Sequence, residues 1–315
     1  MDPPETVQLT RGPTSVSQVD ARPDGRGLLA YGTVYRGELT RYSREARRFE
    51  PFMGGESAGM VQPSADGEWL AWATFPQNDL WRSRRDGTER LRLTTDTERG
   101  WMPSWSPDGK WIGFVGSEPT YSSLDLMVVS ADGGPVETVL RAESSTGWWD
   151  PCWLPDGSLV FSDLNWDKKG IRRLDWKTRA VTTLPGAEDL VSPKCGPQGQ
   201  LLAVRPAGVG EASRPAAQVV HWPDRGTWEE AGPWSLAYPT WSRDGQSYCG
   251  LAIEENRIDC YSFATRRTET IAEVGDNPLL TWVVVPGLGL DADDNPLVML
   301  DRSTRDLYAL DWEAP

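Results

Sequence analysis

Aromatic side chains stand beside carboxylates at several places along this chain: Glu98-Arg-Gly-Trp101, Gly147-Trp-Trp-Asp150, Glu188-Asp189, Trp234-Ser-Leu-Ala-Tyr238 and Leu280-Thr-Trp282. An aromatic face stacks on the C–H face of a sugar while a nearby carboxylate accepts hydrogen bonds from its hydroxyls. The same combination holds a cationic or peptide ligand through the ring quadrupole. Arg99, Trp101, Trp148, Trp149, Asp150, Asp189, Trp234, Tyr238 and Trp282 are therefore the candidate ligand-binding residues. Packing is the competing use of each tryptophan, because the 17 Trp outnumber Phe and Tyr together and large rings fill the space between sheets. Adjacent residues of an extended segment point opposite ways, so one of Trp148 and Trp149 is expected to face out of the core.

Catalysis has fewer carriers, and no catalytic residue, metal or cofactor is expected. The single histidine, His221, lacks the partners that a histidine metal site needs. No Gly-x-Ser-x-Gly elbow accompanies it, and no phosphate-loop or dinucleotide-binding glycine pattern occurs. A carboxylate pair for glycoside hydrolysis could be drawn from 46 acidic residues, but nothing singles one out. Asp291-Ala-Asp-Asp294 is acidic, yet its spacing is not that of an EF-hand.

Four cysteines are too few for a disulfide scaffold. Cys152 and Cys195 are expected to be small buried hydrophobes. Cys249 and Cys260 flank the segment Gly250 to Asp259, and a turn at Glu254-Glu255 would set them opposite each other, as a disulfide or as a reduced pair.

The net charge of −14 repels phosphate backbones, so nucleic acid is not an expected partner of this chain. No apolar run is long enough for a membrane span. Met1-Asp-Pro-Pro-Glu5 has no signal-peptide character. A soluble, monomeric, single domain over residues 1–315 is expected, with the start of an excised piece and no assignable compartment.

The elements that must position these residues come from a repeat. Pro103-Ser-Trp-Ser-Pro-Asp-Gly109 recurs as Pro151-Cys-Trp-Leu-Pro-Asp-Gly157 and Pro239-Thr-Trp-Ser-Arg-Asp-Gly245, with weaker copies elsewhere. The turn position is filled by Asp24, Asp66, Asp108, Asp156, Gln198, Asp244 and Asp293, at spacings of 42, 42, 48, 42, 46 and 49 residues. A period in the forties, with a short apolar run on each side of a tight turn, predicts an all-β, seven-bladed β-propeller with four-stranded blades. Asp and Gly serve the turn geometry, so the repeated aspartates are structural.

Blade two illustrates the scheme with strand b at Trp69–Ala73, strand c at Leu80–Arg84 and strand d at Arg90–Thr94. Blade seven reads as strand a within Leu280–Leu290, strand b at Leu297–Leu300 and strand c at Leu307–Leu310, and then the chain ends. Thr6-Val-Gln-Leu-Thr10 is expected to supply the missing outer strand and so close the propeller. The a–b and c–d turns share one rim. The variable d–a and b–c loops share the other, around the channel mouth, where sites on rigid scaffolds usually lie.

Repeats of the form found at Pro103 to Phe114 resemble those of TolB-type propellers and cover essentially the whole chain. Asp301 to Pro315, Gly37 to Tyr42 and Leu80 to Gly87 resemble the C-terminal propellers of bacterial winged-helix regulators and of receptor-type kinases. Gln198 departs from the repeat, as does the absent first-strand Trp in blades one, two, five and seven. The resemblance implies a sensory or binding propeller that recognises a small ligand, glycan or peptide or protein segment at the channel mouth, as part of a larger regulator. The alternatives are a protein-interaction scaffold, or a carboxylate-dependent sugar hydrolase or lyase. Propellers of this type that are metal-dependent sugar lyases use several histidines, which this chain lacks.

Overall fold

The computed structural model describes residues 12–23, 26–142, 147–163, 170–207, 216–232, 236–280 and 287–311. The repeated turn forms as its residue types demand. The hydroxyls of Ser64, Ser106 and Ser242 donate to Asp66, Asp108 and Asp244 at 2.5, 2.7 and 2.7 Å. The same three carboxylates accept the amide N–H of Glu68, Lys110 and Gln246. Asp294 fills the glycine place of the last repeat with φ 57, a left-handed conformation that Asp tolerates better than most residues.

The chain opens with β1 (Ser15–Ala21), β2 (Gly27–Val34), β3 (Gly37–Ser43) and β4 (Arg48–Pro51). Sheet one is β5 (Ala58–Pro63), β6 (Trp69–Thr74), β7 (Leu80–Arg84) and β8 (Leu91–Arg92). Sheet two is β9 (Arg99–Trp105), β10 (Trp111–Ser117), β11 (Asp125–Ser130) and β12 (Glu137–Leu140). Sheet three is β13 (Trp148–Trp153), β14 (Leu159–Asp163), β15 (Ile171–Leu174) and β16 (Val181–Thr183). Sheet four is β17 (Val191–Cys195), β18 (Leu201–Arg205), β19 (Ala217–His221) and β20 (Trp228–Glu230). Sheet five is β21 (Leu236–Trp241), β22 (Ser247–Ala252), β23 (Arg257–Ser262) and β24 (Arg267–Glu273). β25 (Gly289–Leu290), β26 (Pro296–Asp301) and β27 (Thr304–Asp311) end the chain.

Among the described residues seven sheets form, six of four strands and one of three. The sixth four-stranded sheet has the order β25-β26-β3-β4, and the three-stranded sheet the order β1-β2-β27. The two termini thus share strands differently from the expected blade seven. β3 pairs with β26, from Leu297↔Arg41 to Asp301↔Gly37. β27, the expected third strand of blade seven, pairs with β2, from Val34↔Thr304 to Gly27↔Asp311. One continuous register therefore runs through both pairings. Burial explains the choice. A middle strand must bury residues on both faces, and β3 does so with Leu39 (1% exposed) and Tyr42 (8%), whereas Leu307 on β27 is 69% exposed. The expected closing strand at Thr6–Thr10 lies outside the described residues.

Hydrophobic clusters fill the wedges between consecutive four-stranded sheets. Leu80, Phe114 and Val129 join sheets one and two, and Leu126, Trp153 and Phe161 join two and three. Val160, Ile171 and Leu201 join three and four, and Leu202, Trp241 and Tyr248 join four and five. Leu251, Leu288 and Val298 join five and six. Leu39, Leu70, Trp72 and Leu297 then join sheet six back to sheet one. The three-stranded sheet contributes to none of these clusters. Among the described residues no helix is long and apolar enough to cross a membrane.

Candidate functional site

The innermost strands β5, β9, β13, β17 and β21 share a deformation. Met60, Met102, Asp150, Ser192 and Tyr238 adopt φ of 54, 52, 51, 53 and 52°, each where the pairing register slips. Each lies six positions before its repeat's turn residue. Gln18, at the same place in β1, has φ 53. A non-glycine residue held there costs on the order of 1–3 kcal/mol and persists only where its surroundings enforce it. Such bulges re-aim side chains. Here the five residues line one cavity.

That cavity has a volume of about 1190 Å³ and is walled by the innermost strand of every four-stranded sheet. Met60 and Met102 form an apolar part of the wall, where the Met102 N–H donates to the Met60 thioether at 3.2 Å. Asp150, Ser192, Lys194, Tyr238 and Thr240 form a polar part. The Lys194 ammonium pairs with the Asp150 carboxylate, whose side chain is only 5% exposed. Burial pushes the Tyr238 phenol above its ordinary value, so it remains a protonated hydrogen-bonding group at neutral pH.

The two rims differ. At the turn rim, Arg243 stands where three of the other repeats that line the cavity have Pro107, Pro155 and Pro197. Its guanidinium reaches the carbonyls of Asp66 at 3.3 Å and Ala292 at 3.5 Å, and the Arg243 backbone amide donates to the Asp294 carboxylate at 2.9 Å. One arginine thus ties sheet five to the turns of sheets one and six. Toward the other rim the lining includes Trp149, Ile253 (55% exposed), Glu254 and Glu255.

A second device holds the innermost strands together. The Trp105 indole donates to the Gln62 carbonyl of the preceding sheet at 3.1 Å, and the Trp241 indole to the Lys194 carbonyl at 2.9 Å. The Trp153 indole is buried with its N–H unmatched. In sheet four the Trp position is Cys195, and the residue it faces on sheet three is Cys152. These two are disulfide-bonded, with Cα atoms 5.6 Å apart. Both line the cavity. Cys152 is buried as expected, but the two are not separate small hydrophobes: 43 residues separate them, and only the convergence of neighbouring sheets toward the cavity brings them into reach of a bond. Cys249 and Cys260 pair directly across β22 and β23 and are also bonded.

The candidate binding residues separate into groups. Trp149, Asp150 and Tyr238 line the cavity. Trp148 points the other way, edge-on to Phe161 with ring centroids 5.2 Å apart, in the wedge of sheets two and three. Trp101 is 8% exposed and packs against Tyr121. Arg99 lies 3.5 Å from Asp79, which also pairs with Arg92. Asp189 is exposed on the connection before β17. Trp234 and Trp282 lie outside the described residues. Met60, Met102, Ser192 and Lys194 were not singled out from sequence, although counting six or four positions back from each turn would have found them. His221 lies on β19 beside Trp228, ring centroids 5.3 Å apart, and burial lowers its pKa.

With this geometry in hand, the fold can be compared with known ones. A putative TolB from Agrobacterium tumefaciens superposes with a TM-score of 0.61 at 14% identity, covering 85% of this chain and 98% of that one. TolB from Acinetobacter baumannii gives 0.57 at 15% identity, over 81% and 79% of the chains. The chain shares the TolB-type β-propeller fold. An oligogalacturonate lyase in complex with manganese has the same fold, with a TM-score of 0.56 at 11% identity over 91% and 96% of the chains. In sequence, the uncharacterized protein Atu1656 of Agrobacterium fabrum is 31% identical over 103 residues, 30% of this chain and 35% of that protein. The chain thus matches about a third of that curated relative's length. No family model matches.

Proposed function

We propose that this chain is a non-catalytic recognition propeller whose ligand enters the central cavity from the rim of Trp149, Ile253 and Glu254. The observation that carries this reading is the set of bulged residues, which turns five unlike side chains into one cavity at a cost in backbone strain. The cavity exceeds the roughly 300–1,000 Å³ typical of small-molecule sites, which favours a peptide segment or an oligosaccharide over a single small metabolite. Its wall suits an amphipathic occupant, with thioethers on one part and the Asp150–Lys194 pair and Tyr238 on another. The TolB-type fold supports a protein segment as the occupant, and the resemblance of Asp301–Pro315 to regulator propellers supports a sensory role within a larger protein.

The test is tryptophan fluorescence and thermal shift against a panel of oligosaccharides, amino acids and short peptides. A saturable response that is lost in Trp149→Ala and Tyr238→Ala, and kept in the surface variant Tyr308→Ala, supports the reading. A blank across the panel, or a response unaffected by Trp149→Ala and Tyr238→Ala, overturns it.

A further inference from the structure

The two disulfides differ in what surrounds them. Cys249 and Cys260 lie in the wedge of sheets five and six among Leu251, Ile258 and Val298, and neither lines the cavity. Cys152 and Cys195 lie in the cavity wall, on strands that also carry the Asp150–Lys194 pair. Cys195 is small where Trp105, Trp153 and Trp241 are large, and, although Cys260 is partly exposed as well, only Cys195 is so at the cavity wall.

The geometry points to Cys152–Cys195 as a thiol-reactive site inside the cavity, taking low-molecular-weight thiols. A small thiolate that enters the cavity attacks one sulfur of the pair. A mixed disulfide forms on that cysteine and the other leaves as a thiolate, which takes a proton from water. A second small thiolate then attacks the mixed disulfide, releasing the oxidised small thiol as its own disulfide and leaving Cys152 and Cys195 reduced. Two electrons pass from two small thiols to the protein, and the small thiol is the only reductant required.

Opening the bond removes the covalent tie between β13 and β17 and leaves the Asp150–Lys194 pair holding the same two strands. The cavity wall between sheets three and four thereby responds to the thiol–disulfide balance of its surroundings. This inference does not depend on what ligand the cavity binds.

The experiment treats the native protein with reduced glutathione, quenches with N-ethylmaleimide at timed intervals and maps each cysteine pair by mass spectrometry, with circular dichroism followed in parallel. The expected result is that Cys152–Cys195 opens about tenfold or more faster than Cys249–Cys260 while the dichroism signal is unchanged, as access governs exchange rates. A thiol-terminated polymer too bulky for the cavity, matched in thiol concentration and thiol pKa, is expected to lose that preference. The inference is overturned if Cys249–Cys260 opens first or at the same rate, if Cys152–Cys195 opens only as the dichroism signal collapses, or if the bulky thiol opens it as fast as glutathione.

Discussion

Cys195 occupies the place of a repeat tryptophan, and its bond to Cys152 joins sheets four and three at the point equivalent to that where, between sheets five and four, the Trp241 indole N–H donates to the Lys194 carbonyl at 2.9 Å. The equivalent link from Trp105 to Gln62 measures 3.1 Å. Sheets one and two, and sheets four and five, are thus tied at an equivalent point by an indole hydrogen bond, and sheets three and four by a covalent bond, whereas Trp153 between sheets two and three leaves its indole N–H unmatched. Replacing both cysteines with serine is expected to lower stability by about 2–4 kcal/mol. Cys152→Ser combined with Cys195→Trp is expected to recover part of that loss by restoring the indole link. Denaturant midpoints of the two double variants check this.

The Asp150–Lys194 pair predicts a non-additive result. Lys194→Met leaves an almost fully buried carboxylate without its partner and should cost about 3–5 kcal/mol. Adding Asp150→Leu should return most of it, because the desolvated charge is then gone. A double-mutant cycle by chemical denaturation measures the coupling.

The assignment of β3 to sheet six makes a sharp contrast. Leu39→Ala removes a side chain that is 1% exposed in the wedge of sheets six and one, and is expected to cost about 2–5 kcal/mol. Leu307→Ala, at a position 69% exposed on β27, should change stability by less than about 0.5 kcal/mol. Thermal melts of the two variants separate this pairing from one in which β27 completes the blade.

Acid should weaken the turns together. The Ser64 hydroxyl and then the Glu68 amide hold the Asp66 carboxyl below its ordinary value of 3.8. The Ser106 hydroxyl does the same for Asp108, and the Gln246 amide followed by the Ser242 hydroxyl does so for Asp244. These folded-state values lie below the unfolded one. Their contribution to stability is therefore present above the ordinary carboxyl range and is lost as pH falls from about 4 through the lowered values. Denaturant midpoints should drop over that range, and less steeply in Ser106→Ala.

Much of the fold was legible because its determinants are local. The Asp-Gly turns, the strands β6 and β7 of sheet one and the opposition of Cys249 to Cys260 follow from residue types a few positions apart. β7 spans the Leu80–Arg84 read from the repeat scheme, whereas β8 is only Leu91–Arg92, shorter than the expected outer strand Arg90–Thr94. The site was half legible: Trp149, Asp150 and Tyr238 stand out as aromatic or acidic residues, but Met60 and Met102 look like ordinary core residues until the bulges turn them toward the cavity.

The sequence by itself determined an all-β chain of seven turn-marked repeats, since hydrophobic alternation and turn chemistry act over a few residues. It did not determine how the ends pair. β2, β3, β26 and β27 are all competent strands, and only the requirement to bury both faces of a middle strand selects β3 for sheet six. The Cys152–Cys195 bond and the composition of the cavity wall were decided in the same way. Both depend on innermost strands more than 40 residues apart converging on one space, a relation that exists only once the six four-stranded sheets have packed.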